Sequence, residues 1–220
     1  MNKKEIISFF DRMAPDWDSR LVVNDEKINF ILNKAGVTEN CTVLDVACGT
    51  GVLFPYYLHR NVSRVIGVDI SPNMTRIAAS KNRDIRVEVI CADIEALPVH
   101  RRCDCCMVYN AFPHFPDPQA LIACLASWVI PGGRLTVAHS MSLAALKKHH
   151  QGPAKQVSRE LPEAQELSEL FAPWFTVDCA VSDDDKYVVS GVRKSLFRSF
   201  EYSFDLYGKD AHWFVSNRYA

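Results

Sequence analysis

The chain has 220 residues, 48% of them hydrophobic and 23% charged, and a formal net charge of −1. That length suits one compact domain with a large core, and the near-neutral charge disfavours a nucleic-acid partner, whose affinity comes largely from neutralised phosphates. The N-terminal apolar run Ile6-Ile7-Ser8-Phe9-Phe10 is too short for a signal-peptide core, and no stretch approaches the roughly 18 apolar residues that span a bilayer. A cytoplasmic location without a membrane partner is therefore expected. The eight Cys mostly sit in apolar runs and read as reduced core thiols. Within Cys103-Asp104-Cys105-Cys106, a strand would put 103 and 105 on one face and 106 on the other. No second Cys pair stands at zinc-ribbon spacing, so no metal site is expected there.

Short apolar runs alternate with helical patterns. Residues 1–38 read as a helical N-terminal segment, including a helix over Asp25–Ala35 ended by Gly36. Cys41–Val46 is an expected strand, and a helix starts within Val52–His59. Arg64–Ile70 is a strand, followed by a helix over Pro72–Lys81 with Ser71 as N-cap and Pro72 at its first position. Ile85–Cys91 and Cys103–Tyr109 are strands, and Pro118–Trp128 is a helix. Arg134–His139 is a strand announced by the turn Pro131-Gly132-Gly133, and Glu160–Phe171 is a helix ended by Pro173. Phe175–Val181 and Tyr187–Val192 are strands joined by Ser182-Asp183-Asp184-Asp185, which predicts a hairpin.

Strands with little alternation are buried on both faces. Alternating with helices, they predict a doubly wound, mostly parallel α/β domain over residues 39–194, closed by an antiparallel hairpin. Residues 195–220 form an aromatic-rich tail whose spacing leaves an added strand, a cap and a homodimer contact all open.

The first strand ends in Asp45-Val46-Ala47-Cys48-Gly49-Thr50-Gly51. A strand that enters a helix through a Gly-rich turn lets a ligand approach backbone N–H groups. The nicotinamide fingerprint G-x-G-x-x-G would need a third small residue where the bulky Phe54 stands. Asp45, just ahead of the loop, would repel a pyrophosphate but favour an ammonium group. Asp69 ends the second strand in Val65-Ile66-Gly67-Val68-Asp69-Ile70-Ser71, where a carboxylate can accept both ribose hydroxyls. Asp93 ends the third strand in Cys91-Ala92-Asp93-Ile94-Glu95-Ala96-Leu97-Pro98, placed to take an adenine amino group.

With Pro131-Gly132-Gly133-Arg134-Leu135, these motifs resemble in order those of class I S-adenosylmethionine (SAM)-dependent methyltransferases. They are most similar to the small-molecule, ubiquinone/menaquinone methyltransferase type. The resemblance covers residues 40–193. It implies a Rossmann-like seven-stranded sheet whose last strand is antiparallel, with SAM as cofactor. It also implies that Asp45, Gly49 and Gly51 line the methionine part, Asp69 the ribose, and Asp93 and Ile94 the adenine. Ala47 stands where the family more often has Gly. Cys48, Ile70, Met74 and Asn110 complete the candidate cofactor set.

After the fourth strand, Tyr109-Asn110-Ala111-Phe112-Pro113-His114-Phe115-Pro116 falls on the ligand side of such a sheet. The resemblance puts it beside the methyl group. Tyr109, Phe112 and His149 are the expected acceptor wall. The segment lacks the Asn/Asp-Pro-Pro-Tyr/Phe pattern of methyltransferases that act on DNA bases or glutamine. Methyl transfer needs alignment of the acceptor and, in places, removal of its proton, and histidine is the best base near neutral pH. His139 is the first candidate because a strand holds it rigidly; His114 is second. His149 and His150 fall near the same mouth, and a metal held by these histidines is a lesser alternative. Phe9-Phe10-Asp11-Arg12-Met13-Ala14-Pro15-Asp16-Trp17-Asp18 resembles the leader that closes over SAM as a lid in many of these enzymes. Phe10 and Trp17 are the expected closing residues. The rival readings are a nicotinamide-dependent oxidoreductase, a non-catalytic SAM-binding module, and a methyltransferase acting on protein or RNA.

Overall fold

A computed structural model describes residues 1–149 and 153–195, apart from the side chains of His149 and Pro153. The aromatic tail beyond residue 195 lies outside the described residues, and so does His150. The strands are β1 (Thr42–Val46), β2 (Arg64–Asp69), β3 (Val87–Cys91), β4 (Cys103–Tyr109), β5 (Val129–His139), β6 (Phe175–Ser182) and β7 (Tyr187–Arg193). They form one seven-stranded sheet in the order β3-β2-β1-β4-β5-β7-β6. Strands β1 to β5 pair in parallel, and β7 runs antiparallel between β5 and β6.

The apolar strands separate two cores, one on each face of the sheet. Val43, Val65, Cys105 and Met107 face α2 (Asp25–Lys34), α3 (Phe54–His59) and α4 (Pro72–Lys81). Leu44, Ile66, Cys106 and Val137 face α5 (Pro118–Trp128) and α7 (Ala164–Phe171). Alternating side chains therefore both need apolar partners, which accounts for strand runs without polar alternation. The edge strand β6 alternates less and more exposed residues along its length. The short helix α6 (Leu143–His149) follows β5.

Some boundaries differ from those read in the sequence. Strand β5 begins at Val129 and runs through Pro131-Gly132-Gly133, because Cys103 pairs with Val129 before the register shifts. A Cβ on Gly133 would stand 2.6 Å from the Asp104 carbonyl oxygen, so only glycine lets the strands approach there. Helix α7 starts at Ala164 rather than Glu160. Pro162 disfavours helical backbone at Leu161, and the Glu163 N–H donates instead to the Glu166 carboxylate at 3.1 Å. Strand β3 starts at Val87; Ile85 is 97% exposed.

The N-terminal segment is one 18-residue helix, α1 (Lys3–Arg20), followed by α2. Asn2 caps it by accepting from the Lys4 N–H at 3.0 Å. Pro15 lies inside it and removes one backbone donor. Buried Ile6 and Ala14 hold its inner face, and its polar side chains reach across to the ends of the central strands.

Candidate functional site

The carboxyl ends of β1, β2, β3 and β4 surround one cavity of about 1190 Å³, counting its open mouth. Helix α1 and the α1–α2 connection roof it.

The loop after β1 is unusual in its backbone. Ala47, Gly49 and Gly51 all have positive φ, at 54°, 55° and 80°. Such angles cost little for glycine and of order 1–3 kcal/mol otherwise, so Ala47 carries strain. A Cβ on Gly51 would stand 2.7 Å from the Phe54 ring, and one on Gly67 of β2 would stand 2.5 Å from it. Phe54 is fully buried. The aromatic ring that breaks the nicotinamide fingerprint therefore has its own purpose: it fills the space beneath the loop and dictates glycine at two positions.

Four carboxylates line the cavity: Asp45, Asp69, Asp93 and Glu95. Asp45 is 2% exposed, and burial, aided by the neighbouring Asp69 charge, pushes its carboxyl up to about 8. Asp69 accepts from the Gly49 N–H at 2.9 Å and the Ser71 N–H at 2.8 Å. Burial pushes its carboxyl upward, against these two backbone donors. Asp93 accepts from Lys3 Nζ at 2.5 Å and from the Glu95 N–H at 3.1 Å, and Lys3 also reaches Glu95 at 2.8 Å.

The same cavity is also lined by the apolar side chains Phe10, Trp17, Leu21, Val22, Val23, Ile28, Phe115 and Pro116. Phe10 and Trp17 meet edge to face with centroids 5.8 Å apart, and Phe10 meets the His114 ring at 4.9 Å. His114 Nδ1 lies 2.9 Å from the Val157 carbonyl oxygen and 3.2 Å from Ser158 Oγ. Donation to that carbonyl puts the N–H on Nδ1 and the lone pair of the neutral ring on Nε2. At the floor, Asn110 has a positive φ of 54° and its Oδ1 accepts from the Ser140 N–H at 2.8 Å, which locks its side chain.

The cavity wall includes Asp45, Ala47, Cys48, Gly49, Asp69, Ile70, Met74, Asp93, Ile94, Asn110, Phe10, Trp17, Tyr109 and His114. Three expected residues are not among those lining it. Gly51 packs on Phe54 instead of lining the space. Phe112 is 2% exposed and belongs to the core against α5. His139, the first candidate base, is not among the lining residues: it is 1% exposed and sits edge-on to Tyr187 at 6.1 Å. It shares the inner face of β5 with Leu135 and Val137, so strand alternation turns it into the helix-covered core. The His149 side chain lies outside the described residues.

Lys3, Asp11, Asp18, Thr50 and Glu95 were not anticipated from sequence. Asp11 accepts from Ser71 Oγ at 2.5 Å and the Asn73 N–H at 3.0 Å. Asp18 accepts from Thr50 Oγ1 at 2.5 Å and Lys81 Nζ at 2.6 Å. One signal was present: Phe10-Asp11 and Trp17-Asp18 repeat at a seven-residue interval, which returns to the same helix face. The aromatic members face the cavity and the acids bond its rim.

The sheet is mostly parallel and seven-stranded with an antiparallel strand inserted near its end, and a glycine loop after β1 and acids at the ends of β2 and β3 gather at one cavity. Residues 43–133 match the family model described as "Methyltransferase domain". The chain is similar to a ubiquinone biosynthesis O-methyltransferase of Coxiella burnetii, 29% identical over 145 residues, 61% of this chain and 61% of that protein. It is also similar to a malonyl-acyl-carrier-protein O-methyltransferase of Acetivibrio thermocellus, 29% identical over 120 residues, 53% of this chain and 42% of that protein. It thus spans less than two thirds of the length of either.

Among solved structures, the N-methyltransferase NodS of Bradyrhizobium japonicum in complex with S-adenosyl-L-homocysteine (SAH) superposes with a TM-score of 0.68 at 15% identity, covering 86% of this chain and 98% of that one. Magnesium protoporphyrin IX methyltransferase of Synechocystis with bound SAH gives 0.67 at 18% identity, covering 88% and 100%. These likenesses establish the fold. Among the described residues, no helix is long and apolar enough to cross a membrane.

Proposed function

We propose that the chain transfers a methyl group from SAM to a small-molecule acceptor with an apolar body. The observation that carries this reading is that one cavity is lined both by the strand-end acids Asp45, Asp69 and Asp93 and by an apolar set of side chains around His114. The acidic lining suits a zwitterionic, cationic cofactor: Asp45 for its ammonium, Asp69 for the ribose, Asp93 and Ile94 for the adenine. SAM, when bound, supplies a methyl group already activated on a sulfonium. The protein's residues then align the acceptor, exclude water under α1 and take up a proton.

His114 replaces His139 as the base in this proposal. It stands on the cavity wall, and Nδ1–H donation to the Val157 carbonyl orients the ring and leaves Nε2 as the acceptor. Phe10 and Trp17 close the roof, and Tyr109 lines the wall beside Asn110. The two curated relatives are named as O-methyltransferases, which favours an acceptor hydroxyl or acid over a nitrogen. Titration calorimetry with SAM, SAH and NAD, followed by turnover of labelled SAM against cell extract, tests the reading. Binding of SAM with labelled product is expected. Binding of NAD alone, or SAM binding with no product, would sink it.

A further inference from the structure

The cofactor loop is held from outside its own sheet. Three of its residues, Ala47, Gly49 and Gly51, take left-handed backbone angles. Such a conformation persists only where the surroundings over-determine it. Inside the sheet domain, the Gly49 N–H is tied to Asp69 and the Gly51 N–H to the Cys48 carbonyl at 2.9 Å. Between the two glycines stands Thr50, which is 1% exposed and lines the cavity. Among the described residues, its hydroxyl is the one side-chain group of residues 47–51 that bonds beyond the loop. Its partner is Asp18, fifteen residues along α1 from Lys3.

We infer that Asp18 is a positioning residue of the cofactor loop: it sets the loop through Thr50 without touching the ligand itself. The inference rests on the SAM reading above and goes beyond it, because it gives one carboxylate outside the cavity a role in setting the loop beneath the cofactor. Asp18 is suited to the role. It does not line the cavity. Its second oxygen is anchored by Lys81 of α4 at 2.6 Å, so the carboxylate is clamped between the loop and a rigid helix. Burial pushes its carboxyl upward, but the bonds from Lys81 and Thr50 outweigh that and hold it below its ordinary value, which keeps it a charged acceptor. The same helix also bonds Ser71, two residues after Asp69, through Asp11, and Asp93 itself through Lys3.

A double-mutant cycle on the full chain tests this, with SAH as the probe in titration calorimetry and thermal melting run in parallel. Asp18→Ala and Thr50→Val each remove the same bond. Each is expected to weaken SAH about tenfold, the scale of one charged hydrogen bond, and the double variant about tenfold as well. Thr50→Ser keeps the hydroxyl and is expected to restore most of the SAH affinity that Thr50→Val loses. Asp16→Asn, on the exposed side of α1, controls for general effects on the helix. An Asp18→Ala variant that melts earlier yet binds SAH within twofold of the unaltered chain would make Asp18 a mere helix anchor and overturn the inference. Losses that multiply in the double variant would overturn it too. The unaltered chain is titrated first: if it does not bind SAH, the cofactor reading falls, and this inference with it.

Discussion

The acids and the apolar wall of the cavity are held by different means. The acids stand at the ends of neighbouring strands: Asp69 holds Gly49 and Ser71, Phe54 sits beneath Gly51 and Gly67, and α1 braces this frame through Asp18 to Thr50 and Lys3 to Asp93. The apolar wall has no such frame of strand ends and is assembled from segments far apart in the chain: α1 and its connection to α2, the stretch after β4, and a stretch near Val157 that holds His114. Changes in those segments can reshape the apolar wall while the strand-end acids keep their places.

Four measurements break or sharpen that contrast. The largest effect is expected from His114→Asn. Its kcat should fall about 10²–10⁴-fold, the range for losing a general base, while SAH affinity stays within about twofold. An unchanged kcat would remove His114 from the chemistry.

Next is a pH effect among the acids. The Asp45 carboxyl lies at about 8, far above the ordinary value of about 4. It is neutral below pH 8 and charged above, and a bound ammonium favours the charged form. SAM affinity should therefore rise as pH is raised from 6 towards 8.5, by tens-fold if Asp45 alone governs it. Asp45→Asn should flatten that slope. The same raised value predicts that the unliganded fold loses stability between about pH 4 and pH 8, because the folded state holds a proton that the unfolded chain releases. Calorimetry across the range checks both signs.

Third, Gly67→Ala should cost about 1–3 kcal/mol of folding stability, since its Cβ would press on the Phe54 ring inside a packed core. A denaturant midpoint equal to that of the unaltered chain would show that Phe54 can yield. The smallest effect is expected from His139→Gln. Set behind β5, it should lower Tm through lost packing but leave kcat of the folded protein within about twofold. A large kcat loss at His139 with none at His114 would reverse their roles.

The sequence was most legible where one short segment does the whole job. Asp45, Gly49, Asp69 and Asp93 each lie at a strand end, and strand ends can be read from apolar runs and turns. The helix over Pro72–Lys81 was readable to the residue, because Ser71 and Pro72 mark its start. His139 misled because its strand, but not its face, could be read. A one-residue alternation decides between cleft and core, and the ladder to β7 settles it. The α1 contacts were hidden for another reason: Lys3–Asp93 spans 90 positions and Asp18–Lys81 spans 63, and no local pattern encodes such separations.

The strand order has a consequence for how the chain is made. Strand β6 is synthesised before β7, yet it joins the sheet only through β7, which lies between it and β5. While residues 187–193 are still inside the ribosome, β5 carries an open edge from Arg134 to His139, and β6 has nothing to pair with. Such an edge is a template for another chain. Among the described residues, the last strand in the chain is thus the one that covers β5, and a chain cut short before residue 187 is expected to aggregate more readily than the full one.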